Sequence, residues 1–345
     1  MGRLGWIILC AVILAAAGIF IFTRPKVQEP HEQQEVLVDL DWNVQLHPEN
    51  VWVVYWDIAA AKEISALSQT LKSVSLFSCF FDGQDDLFFP EQFVNLKKLV
   101  REAYDGPLYL TFVNDIIYQD GTTSEKNTAL LDRLLSSEDE MSYRADEFLK
   151  TAKDLDCQGI EMDFEKIRDV TQWRQYARMI ELLWEKSQEK EMPMRVILPV
   201  NTPVKEFNLP TGPDYVVMCY NLYGNHSGPG PKADNNFLTG VAEKFLDIPN
   251  IGFALANGGF DWSSNGHVNR SLKTVDARKL ALEVKATEKR DNNSGALEFR
   301  YKKESSSDYN TVWYADAVTL AYWRSILEEK MGHEVKVSMW RMESK

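Results

Sequence analysis

The chain has 345 residues, 45% of them hydrophobic, and carries 51 acidic against 38 basic side chains for a formal charge of -13. An acid surplus with no compensating basic stripe excludes a nucleic-acid binder, which needs a cationic face for phosphates, and the length suits one large core. Four widely spaced cysteines, Cys10, Cys79, Cys157 and Cys219, have neither zinc-ligand nor disulfide-framework spacing and read as small apolar residues; no cofactor and no metal site are expected.

Residues 4–22 contain no charged side chain, while Arg3 precedes them and Arg24 and Lys26 follow. That run is long enough to cross a bilayer as a helix. Small residues at 15–17 resemble a cleavage site, but the apolar run continues past them, so residues 1–26 are expected to be an uncleaved membrane anchor, with a cleaved signal as the alternative. Residues 27–35, polar and proline-containing, suit a stalk.

From residue 36 onward, short apolar runs alternate with stretches of helical periodicity, the pattern of βα units. The expected strands are residues 51–56, 73–81, 108–113, 159–165, 194–200, 215–221, 251–256 and 335–340. Between them, spacings of three and four mark buried helix faces, as in Phe93, Leu96, Leu99 and Val100, or Trp173, Tyr176, Met179, Ile180, Leu183 and Trp184. Eight such strands predict an α/β fold, a (β/α)8 TIM barrel over residues 36–345. The interval 262–311 is far longer than a βα loop needs. It holds a helical stretch and the strand-like run beginning at Leu297, and is expected to form a small α+β insertion at the barrel mouth.

Strand four carries the chemistry. Alternation along a strand puts Ile160, Met162 and Phe164 on one face and Glu161, Asp163 and Glu165 on the other. In a closed parallel barrel the apolar set packs on the helices and the acids point inward. Barrel interiors are normally filled by branched aliphatic side chains, so three inward carboxylates need partners, protons or a function. Acids two residues apart lie about 6.6 Å apart and repel by roughly 2.5 kcal/mol at an effective dielectric of twenty, enough to keep one protonated near neutrality when burial adds to it. Glu165, nearest the C-terminal mouth, is the expected general acid, with Asp163 beneath it as electrostatic partner. A magnesium site on the same acids is a weaker alternative, because no second ligand cluster accompanies them.

At Gln158, Gly159, Ile160, Glu161, Met162, Asp163, Phe164 and Glu165 the chain resembles glycoside hydrolase family 18, whose fourth strand carries DGxDxDxE. Met218 to Asn221, MCYN, is similar to the family's MxYD, and Trp340 to the tryptophan that ends its eighth strand. GFALANGGFDW at 252–262 and VWYADA at 312–317 look more like the bacterial branch of spore-cortex and peptidoglycan glucosaminidases. The resemblance implies substrate-assisted retention, a known exception to the two-carboxylate scheme. In it, Glu165 protonates the glycosidic oxygen and later activates water, Asp163 holds the acetamido N–H, and the Tyr220 hydroxyl fixes the acetamido oxygen. Glu161, Asn221, Met218 and Trp340 bind substrate, Trp340 as a flat floor for the sugar ring.

The chain departs from the family at Gln158, Glu161 and Asn221, each standing where the family has Asp, and it lacks the family's strand-three SxGG. These changes leave two readings, an active hydrolase and a catalytically silent, lectin-like barrel on the cell surface. Expected partners are an N-acetylglucosamine-containing polysaccharide and, through the N-terminal helix, the membrane, with the barrel extracellular (or secreted) and monomeric. A third reading makes the insertion a protein-docking surface through exposed Trp262 and Tyr309. Trp52, Tyr55 and Trp56 on strand one and Phe80 and Phe81 on strand two are further stacking candidates, and His226 reads as a solvent-exposed loop residue.

Overall fold

Runs of apolar residues buried on both faces build the sheet: all five residues of β1 (Asn50–Val54) and all nine of β2 (Ser73–Phe81) are buried, as strands covered by helices outside and packed side chains inside must be. With β3 (Leu108–Ile117), β4 (Gly159–Asp163), β5 (Met194–Pro199), β6 (Asp214–Met218), β7 (Ile251–Ala256) and β8 (Lys336–Trp340) they pair in parallel, each with the next. β8 then pairs with β1, which closes an eight-stranded barrel. The computed structural model describes residues 46–302 and 308–344. The expected anchor, the stalk and the first ten residues of the expected barrel domain lie outside them. Among the described residues, no helix is long and apolar enough to cross a membrane.

The helices are α1 (Phe93–Ala103), α2 (Thr128–Leu134), α3 (Glu138–Asp154), α4 (Val170–Glu189), α5 (Asn235–Phe245), α6 (Thr274–Glu283) and α7 (Ala317–Met331). Side-chain caps begin five of them: Asn127, Ser137, Asp169, Asp234 and Asp316 each accept from a backbone N–H in the first turn, the standard remedy for orphan helix donors. α1 buries Phe93, Leu96 and Val100, and α4 buries Trp173, Tyr176, Met179, Ile180 and Leu183. The expected faces are therefore the packed ones. Three strands end earlier than their apolar runs. β1 stops at Val54, and Tyr55 and Trp56 open a 3-10 run, Tyr55–Ala66, instead of extending the strand. β4 stops at Asp163 and β6 at Met218, so Glu165 and Tyr220 are each the second residue past a strand end.

Between β7 and α7 the chain builds a second, antiparallel sheet of five strands in the order Val268–Leu272, Gly258–Trp262, Tyr309–Ala315, Leu297–Lys302, Lys289–Arg290. α6 covers it through Ala277, Leu280 and Ala281, packed with Leu272, Phe299, Tyr301, Val312 and Tyr314. The insert thus starts at Gly258 and runs to Ala315, wider than the 262–311 interval read from loop length. At its entry, a Cβ on Gly259 would lie 1.8 Å from the Trp313 carbonyl oxygen, so only glycine lets the two strands approach there. Trp262, expected to be exposed, is fully buried with its ring centroid 5.4 Å from that of Phe260, whereas Tyr309 is 47% exposed.

Candidate active site

Ile160, Met162 and Phe164 are fully buried, and Phe164 stacks on Tyr176 of α4 with ring centroids 5.5 Å apart. The three acids of the opposite parity enter the barrel interior, where each meets a different solution.

Glu161, deepest of the three, is fully buried. Thr111 Oγ1 donates to its Oε1 (2.8 Å) and Ser75 Oγ to its Oε2 (3.1 Å), and the Trp52 indole N–H also donates to it. Arg195 Nε, on the neighbouring strand and in register with it, lies 3.2 Å from Oε2. Arg195 is held in turn by Ser338 Oγ (3.0 Å) and by the ring faces of Trp52 and Tyr109. Such pairing and charge-assisted hydrogen bonding offset the cost of burying a charge in a low-dielectric interior. Glu161, expected among the substrate contacts, is therefore a structural acid whose acceptor positions are filled by protein.

Asp163, two residues further along, is 5% exposed, and its Oδ1 has no hydrogen-bond partner. Burial pushes its carboxyl up to about 8; Glu165, Glu161 and Asp115 push the same way, against the pull of Lys126. A carboxyl stays protonated when desolvation outweighs its nearest cation. Burial thus raises Asp163, the residue expected to serve as the electrostatic partner of Glu165.

Glu165 lies at the mouth with 21% of its side chain exposed. Its main chain is gripped by one buried side chain: Asn114 Oδ1 accepts from the Glu165 N–H (2.9 Å), and Asn114 Nδ2 donates to the Glu165 carbonyl (3.1 Å). Its carboxylate accepts from the Lys126 ammonium. Lys126 comes from the strap that follows the β3 hairpin, where Thr123–Ser124 returns along Ile116 and Ile117. Burial works against its charge, yet Asp163, Glu165 and Asp115 together hold its ammonium above the ordinary lysine range.

Aromatic residues from other strands wall this corner. Tyr220 and Trp340 are partly buried, with rings 8° from parallel and centroids 6.4 Å apart; Trp52 and Phe77 meet Trp340 edge-on at 5.8 and 5.0 Å. Met218, Phe80 and Phe77 pack beneath. Burial, then Asp163 and Glu165, push the Tyr220 hydroxyl well above its usual range, so it stays a neutral donor. Asn221 and His226 are exposed, Phe81 turns outward to Phe148 and Phe164, and Trp56 is 50% exposed beside Arg341. Among the described residues, no group of three or more His, Cys, Asp or Glu side chains is arranged to hold a metal ion.

The sequence reading brings Asp163, Glu165, Tyr220 and Trp340 to one end of the barrel and misses Asn114, Asp115, Lys126 and Arg195. Arg195 had a visible signal, a lone cation inside the apolar run MRVILPV next to the acidic strand. Asn114 and Lys126 had only the Asp120–Gly121 pair, a hairpin turn signal.

No protein-family model and no curated protein matches the sequence. Solved structures do match. A chitinase from Chromobacterium violaceum aligns with a TM-score of 0.70 at 19% identity, covering 86% of this chain and 95% of that one. The spore cortex-lytic enzyme SleL from Bacillus megaterium aligns at 0.72 and 19%, covering 87% and 72%. A mutant class V chitinase from Nicotiana tobaccum, in complex with NAG4, aligns at 0.65 and 11%, covering 86% and 94%. The chain has the (β/α)8 fold shared by chitinases and spore cortex-lytic enzymes, the fold that its eight apolar runs predicted.

Proposed function

We propose that the chain is a glycoside hydrolase that cleaves β-linked, N-acetylglucosamine-containing polysaccharide of the peptidoglycan or chitin kind, with Glu165 as general acid and base. The observation that carries this reading is the inward stack of a buried Asp163, its carboxyl raised by burial, beneath a solvent-reachable Glu165 at the C-terminal mouth, beside the Tyr220 and Trp340 rings. Barrel enzymes place their chemistry at that end. The fold shared with chitinases and a cortex-lytic enzyme, one of them complexed with NAG4, supports the same substrate class.

In the proposed reaction the substrate's acetamido oxygen attacks the anomeric carbon while Glu165 protonates the departing oxygen. Tyr220 donates to the acetamido oxygen and Asp163 accepts from its N–H, which stabilises the oxazolinium ion; Glu165 then removes a proton from the incoming water. Trp340 offers the sugar ring an apolar face. The charge-free run at residues 4–22 supports a membrane tether, and the proposed polymer substrate supports a barrel outside the cell. One observation favours the silent, sugar-binding alternative: the Glu165 carboxylate is an acceptor for Lys126.

Incubation of the full chain with N-acetylglucosamine oligomers and purified peptidoglycan distinguishes the two. The native protein should release product and Glu165→Gln should lose at least about 100-fold in kcat, the scale of general-acid removal. Equal rates remove Glu165 from its role, and binding without product from either protein supports the lectin.

A further inference from the structure

We infer that Lys126 is a further working residue of this site, the counter-ion that decides which of two acids, Asp163 or Glu165, carries the proton that hydrolysis needs. The inference rests on the proposed hydrolase reading and adds a residue for which the family pattern has no place.

The ion pair is anchored on both sides. The Lys126 N–H donates to Asp115 Oδ1 at 2.7 Å, and the next N–H, of Asn127, donates to the Asn114 carbonyl at 2.8 Å. Asn127 then caps α2 through its side chain. Lys126 itself takes a left-handed backbone, φ 53°, a conformation that a non-glycine residue keeps only where its surroundings fix it. Glu165 hangs from the same strand end through both Asn114 hydrogen bonds. Two partners fixed to one scaffold, with the lysine side chain only 20% exposed, differ from a surface pair that forms and breaks freely.

Charges around the ammonium define what it does. Asp115 faces it from β3, Asp163 and Glu165 from the end of β4, and the Phe77 ring lies 6.0 Å away. Glu161 sits below with its own cation, Arg195. Tyr220 borders the corner as a neutral hydroxyl, and so does Tyr55, which burial, Asp115 and Glu125 keep protonated. Lys126 donates to Glu165, and burial pushes the Asp163 carboxyl toward its protonated form.

Acid catalysis needs the opposite arrangement. One proton leaves the Asp163 carboxyl and one arrives on the Glu165 carboxylate; the negative charge passes from Glu165 to Asp163, and the ammonium turns to its new partner. Charge within the site is unchanged and no co-reactant is consumed. The carboxylate so formed on Asp163 faces the acetamido group just as positive charge develops there, which is where an acceptor is required.

The test uses the full-length protein with 13C-labelled Asp and Glu carboxyls, comparing native, Lys126→Met and Lys126→Arg by NMR titration, with Asp163→Asn to assign the signal. Lys126→Met should move the Asp163 midpoint upward by on the order of 1–3 pH units, the effect of losing an adjacent cation, and Lys126→Arg should restore it. The pH profile of kcat/KM on N-acetylglucosamine oligomers should move with the midpoint. Should Lys126→Met fail to fold, Lys126→Gln gives the same comparison. An Asp163 midpoint unchanged in a folded, uncharged variant overturns the assignment. A shifted midpoint with no cleavage by any form, native included, leaves the counter-ion role standing and removes the hydrolase reading.

Discussion

Glu161, Asp163 and Glu165 lie two residues apart, yet the first faces an arginine, the third faces a lysine, and the second is pushed toward its protonated form by burial. Their sequence spacing announces that something must compensate three inward acids and says nothing of how, because the compensating groups arrive from other strands and from a loop. Glu161 and Arg195 form the deepest pair, closed off by Trp52, Thr111, Ser75 and Ser338. Arg195→Met should lower the unfolding free energy by about 3–5 kcal/mol, since it strands a buried charge, while Glu161→Gln with Arg195→Met should recover much of the loss. Urea midpoints of the single and double variants give the comparison.

At the scale of elements, β3 is the member that organises the mouth. It runs beyond the barrel into a hairpin, and its Asn114 fixes Glu165 while Asp115 fixes the strap that carries Lys126. Asn114→Ala should release the Glu165 main chain and lower kcat by about 100-fold, the penalty for a misplaced catalytic group, with KM changed only a few-fold; steady-state kinetics on oligomers separate the two. All eight barrel strands could be read from the sequence, because a strand buried on both faces is a continuous apolar run bounded by turn residues. Strand ends could not. VWVVYW and YVVMCYN continue as apolar sequence where the backbone has already left the sheet, and the turn into a 3-10 run at Tyr55 has no residue signature. Asn114 stayed hidden because its role depends on which loop lies beside it.

For the whole molecule, the protonated Asp163 ties stability to pH. Its carboxyl is raised to about 8 in the fold from the ordinary aspartate value of 3.8, so between about pH 4 and pH 8 the native state binds a proton that the unfolded chain has lost, and stability falls as pH rises. Asp163→Asn removes that dependence. The native protein should therefore lose stability relative to the variant as pH goes from 5 to 8, read from thermal unfolding at each pH; parallel curves exclude the buried proton. Asp57 acts in the opposite sense: burial tends to raise its carboxyl, but Ser344, Arg341 and Lys273 hold it at about 2, so its contribution is lost only below about pH 4.

Cys79, Cys157 and Cys219 are buried and unpaired. Burial pushes the thiol of Cys79 well above its usual range, that of Cys157 to about 11, and that of Cys219 upward as well. Sulfur chemistry runs through the thiolate, so while the barrel stays shut these three atoms are inert toward oxidants and electrophiles alike. The closed architecture thereby keeps these three sulfurs reduced for as long as the fold holds, whatever oxidant lies outside it.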